Sequence, residues 1–357
     1  MVQLSPWLWA VILVVGVFAA HWGAEQLSHP IKKLRRQLGL TAVAGGALVG
    51  IAAAGSEIGI NVTSAYRGVS DIGLGMMLGS NIVSIPLIVT IAYVASRKRD
   101  LGDETEGQDT RRDGEQGSTS SGGQTATHGR HRQENLLRIQ KEAVTVLILP
   151  YLGILGLVAV LTLPESGRGL QPIDGWIMGA AYLAYLGQAF FRGRSESEDV
   201  QWTKKELGLA GAGLVVLASG AYGIVLSTEN IVAALGISRL VGGLFVTAIV
   251  TAIPEMFATW SVVRSGQVTA GTTSVIGDNA VTMTVAFVPL ALVTVPIEDF
   301  QLYWVNLLFV ALMPAAYAGL THWGATEHGF THWQVLLFDA FYFLYIGVMA
   351  LSILNLF

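Results

Sequence analysis

Glu57 and Glu255 each stand inside a long run of apolar and small residues, and each is followed 22 residues later by a second polar cluster. After Glu57 the cluster is Gly79-Ser80-Asn81; after Glu255 it is Gly277-Asp278-Asn279. A carboxylate placed in hydrocarbon costs about 3 kcal/mol or more unless it faces the bundle interior, water or a cation. One such Glu is accounted for by hydrogen bonds to neighbouring helices. Two at matched spacing point instead to an internal repeat built around an ion site. Ser80 and Ser84 are four apart and share one helix face, and Asp278 and Thr282 are the matching pair. Carboxylate and hydroxyl oxygens on one face suit hard cations such as Ca²⁺ or Na⁺. Thr251 adds a hydroxyl four residues before Glu255. Pro254 interrupts the backbone ladder there and is expected to free carbonyls around Ile249–Val250. Asn81 and Asn279, one position beyond Ser80 and Asp278, either support the site or bridge helices through their amides.

Other polar residues carry weaker signals. His322, His328 and His332 cluster in THWGATEHGFTHW, where the His-Trp steps read as an interfacial belt more than a metal site. Asp339 and Glu229 are candidate network members without a repeat partner. His128 and His131 lie in a polar stretch and read as solvated. The chain has no cysteine, which excludes disulfides, zinc–thiolate sites and thiol catalysis. It has no HExxH, P-loop, GxSxG or CxxC pattern, so an intramembrane enzyme has little support.

The elements that must hold these residues are membrane helices. Of 357 residues, 52% are hydrophobic and 13% charged, and the mean hydropathy is +0.55. Soluble domains carry about 25% charged residues. The expected fold is an all-α integral membrane protein with ten transmembrane helices arranged as two inverted five-helix repeats. Residues 1–95 hold the first three helices, beginning with the apolar MVQLSPWLWAVILVVG, which lacks the basic start of a cleavable signal. Residues 96–142 form a polar insert without an aromatic residue, expected to be disordered. Residues 143–191 hold helices four and five, 192–206 a charged linker, and 207–357 helices six to ten. Of the 21 Lys and Arg, 18 fall in the odd-numbered loops, which places those loops in the cytoplasm and both termini outside.

With these residues in view, the chain resembles the calcium/cation antiporter superfamily, nearest its prokaryotic sodium/calcium exchangers. The resemblance covers both halves and leaves out the insert. The family signature Gly-Thr-Ser-x-Pro-Glu is matched by Val250-Thr251-Ala252-Ile253-Pro254-Glu255, which keeps Thr, Pro and Glu, and by Ala52 to Glu57, which keeps Glu. The signature Gly-Asn-x-x-Gly-Ser-Asn-x-x-(Asn/Asp) is matched by Gly75 to Ser84 and Thr273 to Thr282. The last ligand positions are Ser84 and Thr282 here, while an acid stands one turn earlier at Asp278. The resemblance implies ion ligands on helices two, three, seven and eight, drawn from Glu57, Ser80, Ser84, Thr251, Glu255, Asp278 and Thr282. It implies a secondary antiporter of the cell membrane exchanging Ca²⁺ against Na⁺, with lipid and inorganic cations as its partners. It implies no cofactor, no nucleic acid and no enzymatic activity. Proton-coupled Ca²⁺/H⁺ or Na⁺/H⁺ exchange is the alternative, because buried carboxylates also carry protons. A transport-inactive interaction or sensing protein is a third reading, favoured by the eroded signature before Glu57 and opposed by the retained pair of Glu.

Overall fold

The computed structural model describes residues 5–39, 50–97, 136–138, 141–164, 168–192, 199–266, 268–323 and 329–353. The helices are α1 (Pro6–Gln37), α2 (Gly55–Tyr66), α3 (Ser70–Arg97), α4 (Lys141–Thr162) and α5 (Pro172–Arg192) in the first half. The second half has α6 (Lys204–Leu235), α7 (Arg239–Arg264), α8 (Val268–Leu292), α9 (Phe300–Trp323) and α10 (His332–Leu351). Seven of them, α1, α3 and α6 to α10, are long and apolar enough to cross a membrane. Two short strands, β1 (Leu136–Arg138) and β2 (Gly329–Thr331), pair antiparallel, and Leu170 bridges Val295.

α3 is apolar on every face and is accordingly buried on every face, packed against α2, α7, α8, α9 and α10. Its approach to α7 is a backbone contact. A Cβ on Gly75 would strike Leu240 O, and one on Gly79 would stand 2.5 Å from Leu244 O. In lipid, where apolar burial drives little, such close crossings supply the packing energy. The main core joins α3, α4, α8, α9 and α10 through Leu78, Ile85, Tyr151, Phe287, Met313 and Phe338. A smaller cluster, with Leu13, Val17, Ile60, Met76, Ile224 and Val225, joins α1 and α6 to α2 and α3. α1 and α6 lie along one another, and Lys33 at the end of one pairs with Glu206 at the start of the other.

Several boundaries differ from expectation. α1 runs to Gln37, so Lys32, Lys33 and Arg36 ride on its last turns instead of a free loop. α6 starts inside the expected linker, set by a capping box between Thr203 and Glu206, and it ends at Leu235 on Gly236 with φ 67°. Glu229 therefore lies inside α6. The stretch expected to be structureless is trimmed at both edges. α3 continues to Arg97, and Leu137, apolar in a polar neighbourhood, is buried in β1. Residues 98–135 of that stretch lie outside the described residues, as do 40–49 within the expected first three helices and 193–198 of the linker. α7 stays helical through Pro254; its irregularity is a π-turn over Gly243–Thr247, further from Glu255 than Ile249–Val250. α8 loses its helical ladder over residues 283–286, just after Thr282.

A candidate cation site between four helices

Glu57 lies in the first turn of α2, Glu255 in the middle of α7 and Asp278 in α8. One carboxylate oxygen from each lies within 4.8 Å of the others. Glu57 is buried, and the other two are half-buried. Two oxygens bound to the same Ca²⁺ stand at most about 5 Å apart, twice a metal–oxygen bond of ~2.5 Å. The triad therefore matches the span of one ion of that size. Three carboxylates this close in an enclosed site repel one another, and a cation or protons between them must offset the repulsion.

The hydroxyls divide by helix. Ser56, not singled out from the sequence, donates to Glu57 Oε2 at 2.8 Å. Its adjacency to the Glu was the only signal available. Thr251 donates to Ala248 O at 3.0 Å and Ser80 to Met77 O at 3.3 Å, each leaving oxygen lone pairs for a further partner. Asp278 Oδ1 and Thr282 Oγ1 are buried without a hydrogen-bond partner among the described residues. A hard metal ion would satisfy buried oxygens in that state, so the donor set fits one.

The asparagines act as braces. Asn81 Nδ2 donates to Met77 O at 2.7 Å, and its Oδ1 accepts from Tyr151 on α4 at 2.6 Å. Asn279 accepts from Ser84 at 3.3 Å and donates to Asn81 O at 3.5 Å. This network ties α3, α4 and α8 together one residue away from Ser80 and Asp278. Tyr151 was missed because nothing local marks a Tyr in an apolar helix as a brace. Pro254 is buried within α7 beside Glu255.

Other candidates sit elsewhere. Glu229 pairs with Arg67 at 2.7 Å and with Arg239 at 3.7 Å. Asp339 accepts from Thr90 of α3 at 2.8 and 3.0 Å. His322 meets Trp323 edge-on at 5.2 Å, and His332 lies 5.9 Å from Trp333 and 5.8 Å from Tyr93. Trp323 and Trp333 are 84% and 77% exposed, as befits residues meant for a lipid interface. His128, His131 and His328 lie outside the described residues.

Membrane-length helices crossing around enclosed acids define an integral membrane protein of ion transport. Residues 8–191 and 205–351 match the family described as sodium/calcium exchanger protein, and the chain belongs to that family, within the calcium/cation antiporter superfamily. The fold is similar to that of the sodium-calcium exchanger NCX_Mj soaked with 10 mM Na⁺ and zero Ca²⁺, at 19% identity and TM-score 0.58, covering 96% of this chain and 99% of that one. It is also similar to that of the H⁺/Ca²⁺ exchanger CAX, at 13% identity and TM-score 0.63, covering 96% and 80%. No curated protein gives a significant match.

Proposed function

We propose that this protein is a secondary active antiporter that exchanges Ca²⁺ against Na⁺ by alternating access. The approach of Glu57, Glu255 and Asp278 to within 4.8 Å of one another carries the reading. Thr251, Ser80, Ser84 and Thr282 complete the oxygen shell, with Asn81, Asn279 and Pro254 holding the helices behind it. Transport needs only competition of ions for the same oxygens, so no cofactor enters the cycle. α1 and α6, which lie along one another, slide against the remaining helices to expose the site to either side.

The ten helices form two inverted repeats of five. The helix contacts support this: exchanging each helix for the one five places on returns most of the same pairs. α2 meets α8 as α7 meets α3, and α3 meets α9 as α8 meets α4. The strands follow the same rule. β1 and β2 pair the α3–α4 and α9–α10 connections, while Leu170 and Val295 pair the α4–α5 and α8–α9 connections. Odd connections thus meet odd ones, and even meet even. Together with the basic bias, this supports odd connections in the cytoplasm and both termini outside a plasma membrane. The insert between α3 and β1 is then a cytoplasmic linker.

Ca²⁺ uptake into liposomes holding the purified protein tests the reading. A Na⁺ gradient alone should drive it. Uptake driven only by a pH gradient would replace Na⁺ by H⁺. The third carboxylate favours that second reading, because one Ca²⁺ offsets only two of three negative charges. No uptake under either gradient would leave the inactive interaction protein.

A further inference from the structure

Asn61 lies one turn beyond Glu57 on α2, fully buried, and it was not among the site residues expected from the sequence. Its Nδ2 donates to Ala286 O at 2.7 Å. Ala286 closes the stretch of α8, residues 283–286, where the helical ladder is lost. Val281 O there takes the amides of Thr284, Val285 and Ala286, so Ala286 N no longer bonds to Thr282 O as a continued helix would require. Asn61 reaches across the helix interface to Ala286 O, at the N-cap of the turn where the helix resumes. Ala286 also stands eight residues after Asp278 along α8. One hydrogen bond thus joins the helix of Glu57 to the helix of Asp278, a turn or two from the two carboxylates themselves.

The pocket around Asn61 has no slack. A Cβ on Gly73 of α3 would come within 2.8 Å of Asn61 Oδ1 and still closer to Ser64 Oγ. Ser64 Oγ in turn donates to Asn61 O at 3.1 Å. The amide is held through its donor on α8, while Asn61 Oδ1 is buried without a partner among the described residues. The second half lacks this device. The position related to Asn61 as Glu255 is to Glu57 is Thr259 of α7, and the helix it would face, α3, stays helical through the corresponding residues 85–88, although Pro86 there removes one ladder bond.

We propose that Asn61 is a positioning residue for the cation site: by gripping the interrupted segment of α8, it sets the depth at which Asp278 and Thr282 face Glu57. The site is then asymmetric by construction. Its α8 side breaks into a turn held by Asn61, and its α3 side stays helical. The inference rests on the antiport reading above.

Ca²⁺ titrations of the purified full chain test it, read as the rise in melting temperature and as half-saturation of uptake in liposomes. Asn61→Ala should raise the Ca²⁺ midpoint about tenfold, and should lower melting without Ca²⁺ by only about 2–4 °C, the cost of roughly one buried hydrogen bond. Gly73→Ala, which displaces the amide without altering it, should raise the midpoint in the same direction. Thr259→Val should leave it unchanged. An Asn61→Ala midpoint equal to that of the wild type overturns the proposal, as does an equal shift from Thr259→Val. A wild-type protein with no response to Ca²⁺ sinks the antiport reading and this inference with it. A responsive wild type beside an unaltered Asn61→Ala sinks this inference alone.

Discussion

Three carboxylates share the enclosed site, and their roles separate by substitution. Glu57→Gln and Glu255→Gln keep shape and hydrogen bonding but remove a charge that a hard cation requires. Each is expected to abolish exchange, or to cut it to a few per cent, while the protein still inserts; near-normal flux in both would remove the centre of the site. Asp278 stands where the family carries Ser, and Thr282 where the family carries an acid or Asn. Both side chains have a buried oxygen without a partner among the described residues, and they stand four apart in α8. If Asp278 is the third ligand, Asp278→Asn should weaken Ca²⁺ at least tenfold, a loss of more than about 1.4 kcal/mol. Asp278→Ser combined with Thr282→Asp should recover part of that loss, because the same charge returns one turn away on the same face. Loss of pH dependence at unchanged affinity would instead mark Asp278 as a proton carrier. The sequence made these acids legible, since charge in an apolar helix is rare and the spacing repeated. It left Ser56, Asn61 and Tyr151 silent, because their roles depend on which helix lies opposite, and a single chain does not print that.

The helices differ in what fastens them. α3 is locked by close backbone contact with α7, and the Asn81–Tyr151 and Ser84–Asn279 bonds tie it to α4 and α8. α6 touches the turn between α2 and α3 through Arg67, which donates to Glu229 at 2.7 Å and to Tyr222 at 2.8 Å, with its guanidinium 5.0 Å from the Tyr222 ring centre. Tyr222 and Glu229 are seven apart, two turns along one face of α6. Side chains at 21% and 27% exposure make this more than a surface pair, though solvent still screens it. Arg67→Gln should lower the melting temperature by about 2–4 °C, roughly 1 kcal/mol in a chain of this size. The charge exchange of Arg67→Glu with Glu229→Arg should restore part of it, and no restoration would show that packing on Tyr222 dominates. The element boundaries that sequence reading placed poorly are the polar ones. Basic residues at the end of α1 and the Thr203–Glu206 box at the start of α6 look like loop by composition, yet caps and ion pairs extend the helices through them.

At the scale of the whole chain, the proposed sidedness and the inverted repeat stand or fall together. The insert lies between α3 and β1, outside either repeat, and its composition offers nothing to bury. Deleting residues 102–133 should leave insertion and flux intact, measured in the same liposomes; loss of folded protein would show that it packs on the helices after all. Sidedness itself is testable because the chain has no cysteine, so any introduced thiol is unique. Ser265 lies exposed in the connection between α7 and α8, and Glu298 lies exposed between α8 and α9. The first is an odd connection and the second an even one, at opposite ends of the same helix. If the excess of Lys and Arg in odd connections sets the orientation, Glu298→Cys reacts with a membrane-impermeant maleimide on intact cells, and Ser265→Cys reacts only after permeabilisation. The β1–β2 pair then lies on the cytoplasmic side and the Leu170–Val295 bridge outside. Cysteines placed at exposed even positions of the first half, such as Tyr66→Cys, must label with Glu298→Cys, because an odd number of spans per repeat carries each helix's counterpart through the membrane in the opposite sense. Labelling of Tyr66→Cys and Ser265→Cys from the same side would break that relation and, with it, the two-fold exchange of helices on which the proposed transport cycle rests.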